Sequence, residues 1–377
     1  MRWLIVGAGL SGAAVGRTLA EAGERVRIID RRDVPGGNMK DHLDPSGIMV
    51  QDYGPHTFHT NDRRLMEYME RFQDWDRYEL TCGAVWDGSY TPTPFNFTTI
   101  DTFFGGEKGE MIKEAFRKGH PGKATITVTE ALSDPDPLIR EYAQYLFEKD
   151  YRPYSSKQWG RDPSEIDPSV LRRVPLRLSY RDGYFDDEFQ VMPATSFTDF
   201  FDRILDHPNI TLDLGVDSKE VLSVRNGALD CDEDRAVYTG ALDELFGYSL
   251  GRLPYRSLTF EWVHHDMESF QPAPVVAYPS DPEIVRITEY NKLPVQKGDG
   301  TVCAVERSHT YEPGSSLEPY YPVLTDGSIA LHDRYRRMAE DVEGLSFCGR
   351  LADFRYYNMD QALDRALSLG SSLVASL

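Results

Sequence analysis

A glycine-rich turn near the N-terminus is the first indication of the chemistry of this sequence. The apolar stretch Arg2–Val6 runs into Gly7, Gly9 and Gly12, and Ala13–Ala22 then has a helical pattern. In such a strand–turn–helix unit, the free N–H groups at the start of the helix can bind a pyrophosphate. Gly7 permits the tight turn, Gly9 lets the backbone approach the phosphates, and Gly12 lets the helix pack closely on the strand.

The residues after this unit specify which dinucleotide it binds. Val26–Asp30 reads as a second strand, and its last residue, Asp30, lies where a carboxylate can accept hydrogen bonds from the adenosine ribose. A second glycine pair, Gly36 and Gly37, follows directly and precedes Asn38. A glycine pair at this place is more typical of FAD-binding enzymes than of nicotinamide dehydrogenases. We therefore predict FAD as the cofactor.

Composition restricts the class of protein. The chain has 377 residues and a formal net charge of −20. This charge disfavours nucleic acid and anionic membranes as partners, and an anionic substrate would need a local cluster of arginines. We see no apolar run near the roughly 20 residues of a membrane span and no metal-binding spacing. The cysteines are far apart in the sequence, which predicts reduced thiols in a cytoplasmic protein: Cys82, Cys231, Cys303 and Cys348.

The pattern of apolar residues predicts a mixed α/β fold. We expect a Rossmann-like FAD-binding domain with an inserted helical domain and an antiparallel β-sheet domain. The FAD-binding domain is assigned to residues 1–77, 194–240 and 326–377, the helical domain to 98–170, and the sheet domain that binds substrate to 78–97, 171–193 and 241–325.

Further motifs occur in a fixed order along the chain. They are Tyr53–Asp62 with His-Thr-Phe-His-Thr-Asn at its centre, Pro94–Asn96, Tyr154–Gly160 with Lys-Gln-Trp-Gly, Arg173–Arg177, Tyr184–Phe185, Glu318–Pro322 and Gly349–Met359. This series resembles the family of bacterial UDP-galactopyranose mutases along essentially the whole chain. The histidine and Lys-Gln-Trp-Gly motifs are far more specific than the glycine turn.

The resemblance implies a flavin-dependent isomerase without net redox turnover. In that family, N5 of reduced FAD attacks the anomeric carbon of the sugar and expels UDP. The sugar–flavin adduct opens, recloses through O4 as a furanose and recaptures UDP. The chain is thus expected to interconvert UDP-galactopyranose and UDP-galactofuranose in the biosynthesis of cell-surface polysaccharide. A reductant such as NAD(P)H would keep FAD reduced, and the resemblance leaves a homo-oligomer open.

The resemblance also implies the residues that bind substrate. Arg177 and Arg286 match the two arginines that contact the diphosphate, a task for which the planar, permanently charged guanidinium is suited. An isolated arginine would more often form a surface ion pair. The other residues expected to bind substrate are Tyr151, Tyr154, Trp159, Tyr184, Tyr321, Tyr356 and Asn96.

Two histidines and a C-terminal segment complete the expected cofactor site. His56 and His59 match the histidine loop under the isoalloxazine, where we expect His59 to position the flavin for catalysis without acting as a general base. The residues expected to contact FAD are Gly7, Gly9, Gly12, Asp30, Gly37, Asn38, His56, Gly349, Arg350, Asn358 and Met359.

Three residues depart from the family pattern. Pro92 replaces an asparagine near the sugar, Phe189 replaces a tyrosine, and Asn358 replaces an aspartate. These changes leave the identity of the sugar open, and UDP-N-acetylgalactosamine or a 6-deoxy sugar are alternatives. Two other classes also stay open: an FAD oxidoreductase of the amine-oxidase type, and a flavoprotein that binds a nucleotide sugar without converting it.

The segment that carries Arg177 is expected to move. Residues 170–190 have few periodic apolar positions, and Pro168, Pro175 and Gly183 interrupt regular structure. We predict a lid that closes over the substrate and excludes water.

Overall fold

The elements of the fold come from a computed structural model, which describes residues 1–165, 169–172, 174–225 and 227–377. The strands are β1 (Arg2–Val6), β2 (Arg25–Asp30), β3 (Asp41–Leu43), β4 (Met49–Gln51), β5 (Phe58–Thr60), β6 (Trp75–Arg77), β7 (Cys82–Trp86), β8 (Ser89–Thr93), β9 (Thr125–Ile126), β10 (Leu176–Arg177), β11 (Phe189–Pro193), β12 (Ile210–Leu214), β13 (Ser223–Arg225), β14 (Ala228–Asp230), β15 (Arg235–Tyr238), β16 (Tyr255–His265), β17 (Val275–Ala277), β18 (Ile284–Glu289), β19 (Thr301–Thr310), β20 (Tyr321–Pro322) and β21 (Leu345–Phe347). The α-helices are α1 (Leu10–Glu21), α2 (Arg63–Glu70), α3 (Phe97–Phe103), α4 (Gly106–Gly119), α5 (Val128–Leu132), α6 (Pro137–Leu146), α7 (Arg152–Trp159), α8 (Ser169–Arg172), α9 (Phe197–Leu205), α10 (Ser218–Val221), α11 (Leu242–Leu245), α12 (Asp326–Glu340) and α13 (Met359–Ala375).

A parallel sheet with the order β12-β2-β1-β15-β21 forms the first layer of the fold. Its central strand, β1, is a continuous apolar run because both faces are covered, and Leu4 and Ile5 are fully buried. Helices α1 and α13 pack so closely that a Cβ on Gly370 would lie 3.0 Å from Thr18. The predicted mixed α/β fold with a Rossmann-like unit is confirmed.

A larger sheet with the order β20-β16-β19-β18-β17-β7-β8 forms the second layer. The long antiparallel pair of β16 and β19 runs in register from Arg256 opposite Thr310 to His265 opposite Thr301. Strand β18 carries Arg286, and β20 begins with Tyr321. The two residues therefore lie on one sheet although 35 positions separate them in the sequence.

Helices α3 to α6 surround a separate apolar core that contains Trp86, Phe116 and Tyr142. We assigned residues 171–193 to the sheet domain, but strands β10 and β11 from this range do not join the large sheet. Strand β10 pairs with β9, beside the helical core, and β11 pairs with β5 and β6. The backbone partners of these short strands are distant in sequence, so local patterns did not indicate them. Pro168 and Arg173 lie outside the described residues.

None of the helices in the described part of the chain has both the length and the apolar composition needed to cross a membrane.

Candidate active site

A long cavity runs along the carboxyl ends of the parallel strands. Its wall contains every residue that we predicted to contact FAD: Gly7, Gly9, Gly12, Asp30, Gly37, Asn38, His56, Gly349, Arg350, Asn358 and Met359. The cavity extends from the end of β2 to the start of α13. In a parallel α/β sheet this edge is where ligands bind, because the loops after the strands diverge there.

Close backbone packing explains the glycines of this cavity. A Cβ on Gly12 would lie 1.8 Å from the carbonyl oxygen of Gly7, and a Cβ on Gly37 would lie 3.0 Å from the Cα of Gly9. The turn that contains Gly9 and the turn that contains Gly37 are therefore in contact in the cavity wall, beside the start of α1. That helix begins after Gly9, and no side chain caps its first N–H groups. An uncapped helix N-terminus facing a cavity fits a pyrophosphate, so the site fits a dinucleotide such as FAD.

Asp30 accepts hydrogen bonds from the neighbouring backbone and also lines the cavity. Its Oδ2 accepts a hydrogen bond of 2.8 Å from the backbone N–H of Ala8, and its Oδ1 accepts one of 2.9 Å from Arg32. The carboxylate thus fastens the glycine turn to the end of β2. Each carboxylate oxygen can accept a further bond, so Asp30 can still bind a ribose hydroxyl.

His56 is held in a neutral form at the cavity. Burial lowers the pKa of His56 to about 4, and the charge of Arg350 contributes to the shift. Its Nδ1 lies 2.7 Å from the carbonyl oxygen of Gly54 and therefore carries the proton. The side chain of Gln51 fixes the backbone of His56, because its amide accepts a hydrogen bond from the backbone N–H of His56 and donates one to the carbonyl oxygen of His56. Nε2 is left as a hydrogen-bond acceptor.

We expect His56 to stay neutral down to about pH 5 in the folded protein. Its pKa is depressed from 6.5 to about 4, so the unfolded chain takes up a proton before the folded one does. The stability that this group contributes is present above pH 6.5 and is lost as the pH falls toward 4. NMR titration of histidine-labelled protein measures this directly, with His56→Gln identifying the signal. A midpoint near 6.5 for His56 would contradict the assignment.

An aromatic cluster borders the cofactor cavity. The rings of Tyr321 and Tyr356 stack with 5.1 Å between their centroids, and Trp159 lies 6.0 and 5.7 Å from them. The guanidinium of Arg350 lies 5.3 and 5.4 Å from the centroids of the two tyrosines. Arg350 also lines the cavity. This one side chain therefore joins the predicted cofactor site to the predicted substrate site.

Arg286 lies next to this cluster and is partly buried. Its Nε donates a 2.8 Å hydrogen bond to Oε2 of Glu306, and its side chain is still 22% exposed. Burial alone would lower the pKa of Arg286, but Glu306 raises it above its usual value, as do the neighbouring Tyr154 and Tyr321. Burial raises the pKa of both tyrosines. The site thus offers a fixed cation beside two protonated hydroxyl donors.

Two cations fasten α7, the helix that carries Tyr154 and Trp159, to the large sheet. Nζ of Lys157 donates to the carbonyl oxygens of Tyr278 (2.8 Å) and Ile284 (2.6 Å), at the start of β18. Arg256 on β16 donates to the carbonyl oxygens of Gln158 (3.0 Å) and Lys157 (3.2 Å) at the end of α7. Cations at this end of a helix also interact favourably with its dipole. These contacts set the aromatic side chains against Arg286.

Arg177 lies on β10 and has a buried side chain. Its backbone N–H donates to the carbonyl of Phe95 at 2.7 Å, and its Nη1 lies 2.8 Å from Oδ1 of Asp186. Tyr184, which is on the same turn as Asp186, lies close enough to Tyr154 to contribute to the raised pKa of Tyr154. The segment from Arg177 to Tyr184 is hydrogen-bonded to neighbouring backbone in this structure, and its motion as a lid stays a prediction.

Two residues that we predicted to bind substrate are buried and make structural hydrogen bonds. Tyr151 is 4% exposed, and its hydroxyl donates to the carbonyl of Val174 at 2.7 Å. Asn96 is 1% exposed, accepts from the N–H of Thr98 and donates to the carbonyl of Arg181. These bonds fix both side chains, and their contact with substrate stays a prediction.

His59 lies outside the wall of the cofactor cavity. Its Nδ1 is 2.8 Å from Oδ2 of Asp187, and its ring stacks on Phe185 at 3.6 Å between centroids. Asn61 donates to the other oxygen of Asp187. His59 is 8% exposed and holds the turn around Asp187. These contacts show how His59 supports this turn, and its role in positioning the flavin stays a prediction.

The three departures from the family pattern have different surroundings. Asn358 lines the cofactor cavity at the start of α13, and its N–H donates to Oε1 of Gln361. Pro92 is buried on β8 opposite Gly83. Phe189 packs under the guanidinium of Arg63, 5.4 Å from the ring centroid.

Sequence reasoning missed one side of the cofactor cavity. Residues 216–218, 238–241 and 319–320 also line it. The assignment of residues 194–240 to the FAD-binding domain could have indicated them, because β15 lies in this range and pairs in parallel with β1. Its carboxyl end must therefore lie beside Gly7. Within the described ranges, no cluster of histidine, cysteine and carboxylate side chains is arranged to hold a metal ion.

The fold and the cavity define a dinucleotide-binding protein of the Rossmann type, and a Rossmann-like family model matches residues 5–72. The model of the UDP-galactopyranose mutase family matches residues 149–356. A Klebsiella pneumoniae protein named "Probable UDP-galactopyranose mutase" is 35% identical over 99% of this chain and 95% of its own. The UDP-galactopyranose mutase of Mycoplasma pneumoniae is 33% identical over 99% and 96%. The chain belongs to the UDP-galactopyranose mutase family.

Other similarities agree with this fold. An Escherichia coli dTDP-fucopyranose mutase is 32% identical over 97% of this chain and 96% of its own. A crystal structure of reduced UDP-galactopyranose mutase has a TM-score of 0.72 at 16% identity and covers 100% of this chain and 96% of that one. Putrescine oxidase bound to putrescine has a TM-score of 0.58 at 11% identity, covering 100% and 99%, which shows the fold alone. Membership of the family confirms the predicted isomerase class and flavin cofactor.

Proposed function

We propose that this enzyme interconverts the pyranose and furanose forms of UDP-galactose or of a closely related nucleotide sugar. The observation that carries the proposal is the position of Arg350, which lines the cofactor cavity and packs on Tyr321 and Tyr356 beside Arg286. A nucleotide sugar whose diphosphate meets Arg286 would have its sugar next to the flavin. Reduced FAD supplies the nucleophile for the transfer of the sugar.

The arginines would stabilise the charge of the leaving group. Glu306 opposes the effect of burial on the pKa of Arg286, and it uses only Oε2 for its hydrogen bond to the guanidinium. The remaining donors of the guanidinium can meet phosphate oxygens in a bidentate manner. Negative charge on the departing diphosphate grows in the transition state, so a fixed cation there accelerates the step.

The tyrosines and the tryptophan would orient the substrate and exclude water. Burial raises the pKa of Tyr154 and Tyr321, which keeps their hydroxyls protonated as donors to phosphate or sugar oxygens. Trp159 is 6% exposed and packs against the stacked pair of tyrosines, which forms a dry aromatic wall. Such a wall protects a reactive intermediate from hydrolysis.

A turnover assay tests this proposal. Protein reduced with dithionite and incubated with UDP-galactofuranose should produce UDP-galactopyranose, detected by chromatography, whereas the oxidised protein should be inactive. The physical reason is that only reduced flavin is a strong enough nucleophile for the sugar. Bound FAD is measured by absorbance in the same sample. A flavin-loaded, reduced protein that converts none of the offered nucleotide sugars would contradict the proposal.

A deoxy sugar on a different nucleotide is the second candidate. The dTDP-fucopyranose mutase of Escherichia coli is as similar to this chain, at 32% identity, as the Mycoplasma pneumoniae enzyme at 33%. Overall identity therefore does not select the sugar. A panel of UDP-galactose, UDP-N-acetylgalactosamine and dTDP-fucose, compared by kcat/KM, identifies the preferred substrate.

The amine-oxidase alternative and the remaining partners need separate measurements. The convergence of Arg286 with protonated tyrosines favours an anionic ligand over an amine. Anaerobic mixing with amines should leave the flavin oxidised, and mixing with NADH or NADPH should reduce it, since we propose NAD(P)H as the reductant.

Light scattering of purified protein determines whether it is a homo-oligomer. We also propose a cytoplasmic location, in which the cysteines would titrate as free thiols.

A further inference from the structure

Asp186 forms an unusual ion pair with one of the proposed phosphate-binding arginines. Its Oδ1 lies 2.8 Å from Nη1 of Arg177 and also contacts Nη1 of Arg181. The two sides of this pair differ strongly in exposure, because the Arg177 side chain is 4% exposed and the Asp186 side chain 55%. The carboxylate therefore reaches from the surface to a buried guanidinium.

The guanidinium of Arg177 has unused hydrogen-bonding capacity. Its Nε is buried without an acceptor in the described part of the chain. The backbone N–H of Arg177 donates to the carbonyl of Phe95, and that of Leu178 donates to the carbonyl of Ala124, so the side chain projects from a hydrogen-bonded strand. A buried donor without an acceptor costs free energy, and a ligand oxygen arriving at Nε would remove that cost.

Arg181 offers Asp186 another partner. Its Nη2 donates to the carbonyl of Phe185 at 2.9 Å and lies 3.4 Å from Oε1 of Glu79. Arg181 is 45% exposed, and its contacts hold it on the same turn as Asp186. Asp186 can therefore leave Arg177 without losing its counter-charge.

We propose that Asp186 occupies Arg177 in the free enzyme and that the diphosphate of the substrate displaces it. The inference rests on the proposed contact between Arg177 and a nucleoside diphosphate. A diphosphate brings more negative charge than a single carboxylate and can bond Nε and Nη1 together. Asp186 then stays paired with Arg181. The carboxylate sets the affinity for the phosphate part of the ligand, because every phosphate must compete with it.

Removing the charge of Asp186 tests this competition. Asp186→Asn should tighten binding of UDP about twofold to fivefold, since the loss of a competing ion pair of this exposure has an effect of that size. Calorimetry of UDP binding to the oxidised, FAD-loaded protein measures the change without turnover. Uridine, which has no phosphate, should bind both proteins equally. Glu188→Gln, the same charge change on the same turn, should leave the affinity for UDP unaltered.

A second variant shifts the affinity in the opposite direction. Arg181→Gln leaves Asp186 with Arg177 as its arginine partner, so UDP should bind about threefold more weakly. Weaker UDP binding by Asp186→Asn would overturn the proposal and show that the carboxylate orients Arg177 for the ligand. Unchanged UDP binding in both variants would also overturn it.

The contact on which the inference rests has its own test. Arg177→Lys should weaken UDP binding at least tenfold if this arginine meets the diphosphate. An unchanged affinity of Arg177→Lys would reject the proposed contact itself. A loss of affinity in Arg177→Lys together with no effect of Asp186→Asn would reject only the competition.

Discussion

Arg286→Lys is expected to lower kcat/KM by a factor on the order of 10² to 10³ while FAD content stays unchanged. Lysine keeps the charge opposite Glu306 but cannot present two parallel N–H donors to phosphate oxygens. The loss should therefore appear in the transition state, where charge on the diphosphate is greatest. Steady-state kinetics on the dithionite-reduced protein, with flavin absorbance as the measure of cofactor content, determines both quantities.

Lysine is a better test here than alanine. Glu306 is 2% exposed at its side chain, and Arg286→Ala would leave this carboxylate buried without its counter-charge. That loss destabilises proteins by about 3 to 5 kcal/mol and would obscure an effect on catalysis. Arg307→Lys is the matched control, because Arg307 lies on the same sheet and pairs with Glu261 at 2.9 Å near the surface. Near-normal kcat/KM for Arg286→Lys would reject the assignment of Arg286 to the diphosphate.

Gly12→Ala is expected to yield protein without FAD and to lower the free energy of unfolding by about 4 kcal/mol or more. The added Cβ would lie 1.8 Å from the carbonyl oxygen of Gly7 and 3.2 Å from Ile5. Because the first contact is with backbone, relief requires that α1 move away from β1. That movement displaces the N–H groups on which the pyrophosphate would rest. Flavin absorbance of the purified protein and urea unfolding measure the two effects.

Gly327→Ala is the control for this substitution. Gly327 lies exposed in the first turn of α12, and a Cβ there would meet only Thr325 at 4.0 Å. Alanine should be neutral or stabilise by about 0.5 to 1 kcal/mol, because it restricts the unfolded chain. Full FAD occupancy in Gly12→Ala would show that α1 can shift without disturbing the cofactor site.

The cofactor half of the site could be predicted because its signals are local. Gly7, Gly9 and Gly12 stand within six residues, and each has a backbone role that spacing alone indicates. Asp30 follows at the end of the next strand, and a right-handed crossover places it beside the first turn. The resemblance to the mutase family then indicated Arg350 and Asn358, which lie far away in sequence and line the same cavity.

The substrate half could be predicted only in part. Tyr151, Tyr154 and Trp159 share one short segment, and their spacing does not tell which ring faces the cleft. In the structure Tyr154 is a neighbour of Arg286, whereas the hydroxyl of Tyr151 bonds Val174. A π-helical turn at Phe147–Tyr151 precedes α7 and shifts the faces of the helix. No periodicity in the sequence indicates such a shift.

The amino-acid sequence was sufficient for the Rossmann-like unit, the FAD prediction and the family, because these depend on residue types at short spacing. Contacts between side chains had to come from the folded chain, whether the two residues are near or far apart in the sequence. Asp186 meets Arg177 through the turn that follows β10, and His59 meets Asp187 although 128 positions separate them. An aspartate or glutamate looks the same in the sequence whether its carboxylate lies in solvent or pairs with a buried cation. Burial and the position of the opposite charge distinguish the two, and both arise only when the sheets and helices pack together.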